Sequence, residues 1–115
     1  MIDSHAHYNH VVYKKLFRYL SYDKDGYAIK EGDREQVFRE LLEADIPYSI
    51  EPGGSLQSCG EILELCNAYP GRIFPAIGIH PTRAIYEKWF DRKKLAEYAN
   101  APGVIAIGEI GLDYH

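Results

Sequence analysis

From Asp33 onward the chain alternates helical and extended apolar patterns, and this alternation constrains its fold more than any other feature. In residues 34–44, Val37, Phe38, Leu41 and Leu42 form one apolar stripe at helical spacing. Asp33 can cap that helix, with Gln36 at its third position. A short strand is expected over 46–51, followed by the breaker Pro52-Gly53-Gly54. Ser55 can then cap a second helix reaching about Tyr69, in which Leu56, Cys59, Leu63 and Cys66 keep the helical period with Ile62 and Tyr69 beside them. Residues 73–79 are a nearly unbroken apolar run, as in a strand covered on both faces. A third helix is expected over 91–99 and a fourth strand over 104–110. With 1–7 as the first strand, the order is β-(insert)-α-β-α-β-α-β. Such an order calls for an α/β fold of parallel strands joined by right-handed crossovers.

Composition sets the outer bounds. A chain of 115 residues is at most one domain, and 46% hydrophobic with 26% charged residues is ordinary for a globular protein. No apolar run reaches the roughly 18–20 residues needed to cross a bilayer, and the N-terminus does not read as a signal peptide. A cytoplasmic location is therefore expected. The net charge of -4 argues against a broad basic footprint on duplex nucleic acid. It leaves room for a nuclease whose bound divalent cations supply local positive charge. Cys59 and Cys66 stand about 10 Å apart along one helix face, too far for a disulfide, and read as reduced core residues.

Chemistry-bearing residues gather at two strand ends. Asp3, His5 and His7 alternate in Asp3-Ser4-His5-Ala6-His7, so in an extended strand they project to one side. By the same parity Glu109 shares a face with Ile105 and Ile107, where a carboxylate is costly to bury without a cation. Two imidazoles and a carboxylate at strand ends suggest a metal site and hydrolytic chemistry. Asp3 could orient an imidazole or bond to backbone, and His80, before Pro81, points to the same rim. His10 and His115 read as surface histidines.

Asp3-Ser4-His5-Ala6-His7, Gly78-Ile79-His80-Pro81 and Gly108-Glu109-Ile110-Gly111-Leu112-Asp113-Tyr114 occur in the order and rough spacing of the TatD-type metal-dependent deoxyribonucleases, which the chain resembles along most of its length. The resemblance is weak over residues 8–32. It implies parallel β/α units of a TIM-type barrel, of which residues 1–115 would be the first half, about four strands. It also implies that His5, His7 and Glu109 hold divalent metal ions, two in the complete enzyme, of zinc, manganese or magnesium. Asp3 would support this shell, and His80 would contact substrate phosphate. The substrate implied is DNA or another phosphodiester. Asp113 and Tyr114 belong to the family string in structural roles.

A full barrel of this type takes about 250 residues. The family's remaining ligands, two histidines and an aspartate thought to be the general base, come from later strands. The chain is thus expected to be truncated, with open sheet edges that invite pairing with other chains. It departs from the family at Asn9, near a common aspartate, and at Glu51-Pro52-Gly53. Two other readings stand beside the first. One is a different HxH metallohydrolase, acting on amides or phosphate monoesters. The cyclic-amide hydrolases usually place a lysine on the fourth strand, and residues 105–110 contain none. The other is an inactive half-barrel.

Residues 8–32 read as an insertion at the strand end where a barrel keeps its active site. They are rich in tyrosine and lysine. A short amphipathic helix is expected from Val12, Leu16, Tyr19 and Leu20, and a turn at Asp23-Lys24-Asp25-Gly26. The insertion would either close as a lid, stacking tyrosines on nucleobases, or simply pack its aromatics on the scaffold. The second is the simpler expectation.

Overall fold

A computed structural model of the chain describes residues 1–86 and 92–114. Four short parallel strands form a curled sheet in the order β1-β4-β5-β6, the architecture of a half-barrel. They are β1 (Ile2–Asp3), β4 (Tyr48–Pro52), β5 (Ile73–Ile77) and β6 (Ala106–Ile107). Ile2 lies opposite Tyr48, Ser49 opposite Ile73 and Ala76 opposite Ala106. Helices α1 (Arg34–Glu43), α2 (Leu56–Ala68) and α4 (Arg92–Ala99) supply the crossovers, and α3 (Pro81–Ala84) is a single turn after β5. Asp91 and His115 lie outside the described residues.

The local signals for α1 and α2 operate as expected. Asp33 accepts from the Gln36 N–H at 2.9 Å. Ser55 and Ser58 close a reciprocal capping box. The core between sheet and helices comprises Ala6, Tyr8, Phe38, Ile62, Leu65, Cys66 and Ile73. Both cysteines are buried thiols, that of Cys59 donating to Gly78 O at 3.3 Å, and burial pushes the Cys66 thiol up to about 12.

Strand boundaries depart from expectation for identifiable reasons. β4 begins at Tyr48 because α1 ends in a Schellman-type turn. The Ile46 N–H donates to Leu41 O at 2.8 Å, the Asp45 N–H to Leu42 O at 3.0 Å, and Asp45 adopts φ 58°. β1 stops after Asp3, whose carboxylate accepts from the His5 N–H at 3.1 Å and bends the chain. Pairing with β4 resumes at Ala6, whose N–H donates to Ile50 O at 2.9 Å.

The insertion corrects one expectation outright. Beyond a 3-10 turn at Val11–Lys14 it is an antiparallel hairpin, β2 (Phe17–Asp23) and β3 (Gly26–Gly32), with no amphipathic helix. The turn is where the sequence places it, with Gly26 at φ 134°. Alternation decides the outcome: Phe17, Tyr19 and Ser21 face inward, while Arg18, Leu20 and Tyr22 face out. Glu40 of α1 fastens the hairpin, accepting from the Tyr19 hydroxyl at 2.9 Å, Ser21 at 3.0 Å and Lys30 at 3.0 Å. Phe17 stacks edge-on to Tyr13, which in turn meets Tyr8. The insertion's inward aromatics thus pack on the scaffold.

Away from the core, Ile2, Tyr48, Ile50, Phe74 and Ile105 line an apolar hollow of about 230 Å³. No helix among the described residues is long and apolar enough to cross a membrane.

Candidate metal centre

The segment after β1 keeps a strand-like alternation. Ala6 and Tyr8 are buried, while His5 and His7 are exposed. The two imidazoles therefore share one side, their rings 4.8 Å apart and edge to face, with Nε2 atoms 3.0 Å apart. Glu109 joins them from the other end of the sheet, its Oε1 3.1 Å from His5 Nε2. One donor atom from each of His5, His7 and Glu109 falls within 4.8 Å of the other two.

Glu109 is delivered by backbone rather than by strand parity. Its N–H donates to Gly53 O at 2.9 Å, and the Gly108 N–H to Ile77 O at 3.0 Å. The expectation that Glu109 shares a face with Ile105 and Ile107 is overturned, because the three line three separate hollows. Ile105 lines a hollow with Phe74 and Ile50, Ile107 lines another with Leu95 and Ala99 of α4, and Glu109 lines the histidine cleft. Regular pairing lasts only for Ala106–Ile107, so alternation has no ladder to carry it further. Gly78 permits the approach of the two strand ends. A Cβ there would sit 2.5 Å from Glu109 O.

His80 caps α3. Its Nδ1 accepts from the Thr82 N–H at 3.2 Å, which puts the ring proton on Nε2, 3.9 Å from Glu109 Oε2. Asp3 is not one of the three converging residues, and its carboxylate accepts from the His5 backbone N–H. His10 turns its Nδ1 to the Val12 N–H. The cleft in front of the cluster measures about 360 Å³ and includes Asn9, Ser55, His80 and Arg83 in its walls.

Sequence reasoning left one contributor without a role. Glu51, at the end of β4, is 1% exposed, and its two oxygens accept the N–H groups of Tyr8 (2.6 Å) and Asn9 (2.9 Å). Burial pushes its carboxyl up to about 7, against the pull of the Asn9 and Tyr8 donors. The signal was present in Tyr48-Ser49-Ile50-Glu51, where alternation puts two polar side chains on a strand face that must be buried.

The donor set fits a divalent cation. With bonds of ~2.1 Å, adjacent ligands lie ~3.0 Å apart in octahedral and ~3.4 Å apart in tetrahedral geometry. His5 Nε2 lies 3.0 Å from His7 Nε2 and 3.1 Å from Glu109 Oε1, close to the octahedral edge, while the group as a whole spans up to 4.8 Å, so holding one ion requires the side chains to draw in. Two nitrogens with one carboxylate suit zinc or manganese, and three protein donors leave coordination positions open.

The sequence profile of the family described as TatD related DNase matches residues 2–115. The chain belongs to that family. Among curated TatD relatives, the 3'-5' ssDNA/RNA exonuclease TatD of Pectobacterium parmentieri is 33% identical over 85 residues, 74% of this chain and 33% of that protein. The protein of the same description from Pectobacterium atrosepticum is 34% identical over 87 residues, and that from Edwardsiella piscicida 32% over 85. The chain thus spans about a third of the length of the TatD relatives it matches. No solved structure matches it.

Proposed function

We propose that the protein is a metal-dependent TatD-type hydrolase, cleaving phosphodiester bonds of DNA with His5, His7 and Glu109 as its metal ligands. Residues 1–115 act in this reading as the N-terminal half of the barrel, with the hairpin as its insertion. The observation that carries it is the convergence of His5, His7 and Glu109 from opposite edges of the sheet. The names of the relatives narrow the substrate to a single-stranded DNA or RNA end, which suits an acidic chain without a broad basic face. Two buried, reduced thiols fit a reducing, cytoplasmic location.

Bound divalent ions would supply an activated water and charge stabilisation of the leaving oxygen. The chain's own residues do the rest. His5 and His7 present their Nε2 atoms, and Glu109 lies between His5 and His80 with one oxygen toward each. Asp3 fixes the backbone of His5. His80, with its proton on Nε2, can donate to a phosphate oxygen entering the cleft.

The test is cleavage of a labelled single-stranded oligonucleotide after chelation, with one metal restored at a time. The chain as given is compared with a version extended to a full barrel. Metal-restored cleavage by the extended protein, lost by 10²-fold or more in His5→Ala, is the expected result. Chelator-resistant cleavage, or full activity in that variant, would falsify the assignment. The three donors found here, against the larger set of the family, favour an extended protein far more active than this chain alone.

A further inference from the structure

We propose that Glu51 is the positioning residue of the metal centre: its buried carboxylate clamps two consecutive peptide N–H groups and thereby fixes the backbone that carries His5 and His7. This inference rests on His5, His7 and Glu109 being metal ligands. It concerns a residue at which the chain departs from the family pattern.

The segment 5–10 has little regular structure of its own, since β1 ends at Asp3. Three attachments to β4 hold it. Ala6 N–H donates to Ile50 O at 2.9 Å, Tyr8 N–H to Glu51 Oε2 at 2.6 Å and Asn9 N–H to Glu51 Oε1 at 2.9 Å. The Tyr8 ring adds a fourth anchor, buried against Phe38 with its hydroxyl 3.3 Å from Ser49 Oγ. Every anchor to another element falls on Ala6, Tyr8 or Asn9, whereas the backbone bonds of His5 and His7 are local, from the His5 N–H to Asp3 and from the His10 N–H to His7 O. His5 and His7, whose side chains must stay on the open side, are held through their chain neighbours. Beyond the clamp, the Asn9 side chain reaches Glu61 of α2 at 2.9 Å, tying the same loop to a second element.

A carboxylate is suited to this task because it offers an acceptor to each of two parallel N–H donors. A glutamine offers one oxygen, and its NH2 group would face the other peptide N–H. Glu51→Gln therefore keeps shape and size but releases one of the two peptides. Partners that orient ligands without touching the metal typically alter metal affinity by 10–100-fold when replaced. A group that merely braces the core would instead change stability and leave the folded protein's affinity alone.

The experiment is calorimetric titration of the full 115-residue chain with Zn²⁺ and with Mn²⁺, alongside amide hydrogen exchange at Tyr8 and Asn9. Glu51→Gln should bind at least ~10-fold more weakly than the wild-type chain. It should also exchange Tyr8 or Asn9 faster, with an unchanged far-ultraviolet dichroism spectrum. Wild-type affinity in Glu51→Gln, with only the melting temperature lowered, overturns the positioning role. Should Glu51→Gln not fold, Glu51→Asp retains both acceptor oxygens at shorter reach and is expected to fold and bind with reduced affinity. If that variant also fails to fold, the carboxylate serves the fold and the proposal is overturned. A wild-type chain that binds neither ion, like His7→Ala, removes the metal centre itself and the role of Glu51 with it.

Discussion

Two glycines decide how closely the strand ends approach one another, and they do so differently. At Gly78 an added methyl group would meet Gly108 C and Glu109 O, both at 2.5 Å. Those are backbone atoms and cannot swing aside. At Gly53 the nearest atom is Cys59 Sγ at 2.6 Å, the end of a side chain. Gly78→Ala should therefore destabilise by about 1–3 kcal/mol or more and weaken metal binding, because the Glu109 backbone must shift. Gly53→Ala should be rescued in large part by Cys59→Ala, which removes the clashing sulfur. Urea unfolding of Gly78→Ala, Gly53→Ala, Cys59→Ala and the Gly53→Ala, Cys59→Ala double variant checks this, and a Gly78→Ala protein as stable as wild type would show that β6 is not held against β5 as described.

At the scale of elements, the hairpin depends on Glu40, whose carboxyl faces Tyr19, Ser21, Lys30 and Gln36. Burial raises its pKa, but hydrogen bonds from Lys30, Gln36, Tyr19 and Ser21 outweigh that and hold it at about 2, below the ordinary 4.5. A depressed acid stabilises the fold above its unfolded value and loses that contribution as pH falls from 4.5 toward 2. Glu51, raised to about 7, has the opposite sign: its contribution is full below 4.5 and lost as pH rises through 7. The two windows adjoin, so a wild-type profile mixes them and the Glu40→Gln difference isolates one. Between pH 6 and pH 3, the wild-type chain should lose on the order of 1 kcal/mol more than Glu40→Gln in urea unfolding. Equal losses would mean that Glu40 does not fasten the hairpin. A separate expectation concerns the end of α1. Asp45 at φ 58° occupies a position that glycine prefers, and Asp45→Gly should raise stability by up to about 1 kcal/mol.

These elements also show where sequence is legible. α1 and α2 could be read because their caps, Asp33 and Ser55, and their apolar stripes are local signals within one turn of the chain. The pairing of His5 with His7 could be read because alternation survives across three residues. Glu109 could be picked as a candidate, but its face could not be derived, since β6 ends two residues earlier and long-range bonds to Gly53 and Ile77 direct the chain. The hairpin was missed because Val12, Leu16, Tyr19 and Leu20 satisfy a helical period while Phe17, Tyr19 and Ser21 satisfy a strand period. What decides between them is Glu40, some twenty residues away.

At the scale of the whole molecule, among the described residues the sheet ends at β1 on one side and at β6 on the other, with no further strand paired to either. It also leaves an apolar face uncovered, with Ile2 59% and Ile105 53% exposed. In a closed barrel such side chains meet the opposite wall, and each is worth about 1.5–3 kcal/mol when fully buried. The same surface in a half-barrel favours any partner that covers it, including another copy. We expect size-exclusion chromatography with light scattering to show the 115-residue chain larger than a monomer, with strong binding of a hydrophobic dye. Because the face is apolar, added salt should preserve the association, whereas a charge-driven complex would dissociate as its ion pairs are screened. Ile105→Lys should shift the population toward monomer by placing an ammonium on the face that must be buried. His5, His7 and Glu109, the proposed metal ligands, are not among the residues lining the apolar hollow, so that variant should keep the Zn²⁺ affinity of wild type. A salt-insensitive monomer without dye binding would mean that the curled sheet is self-sufficient and that no opposite wall is needed to cover it.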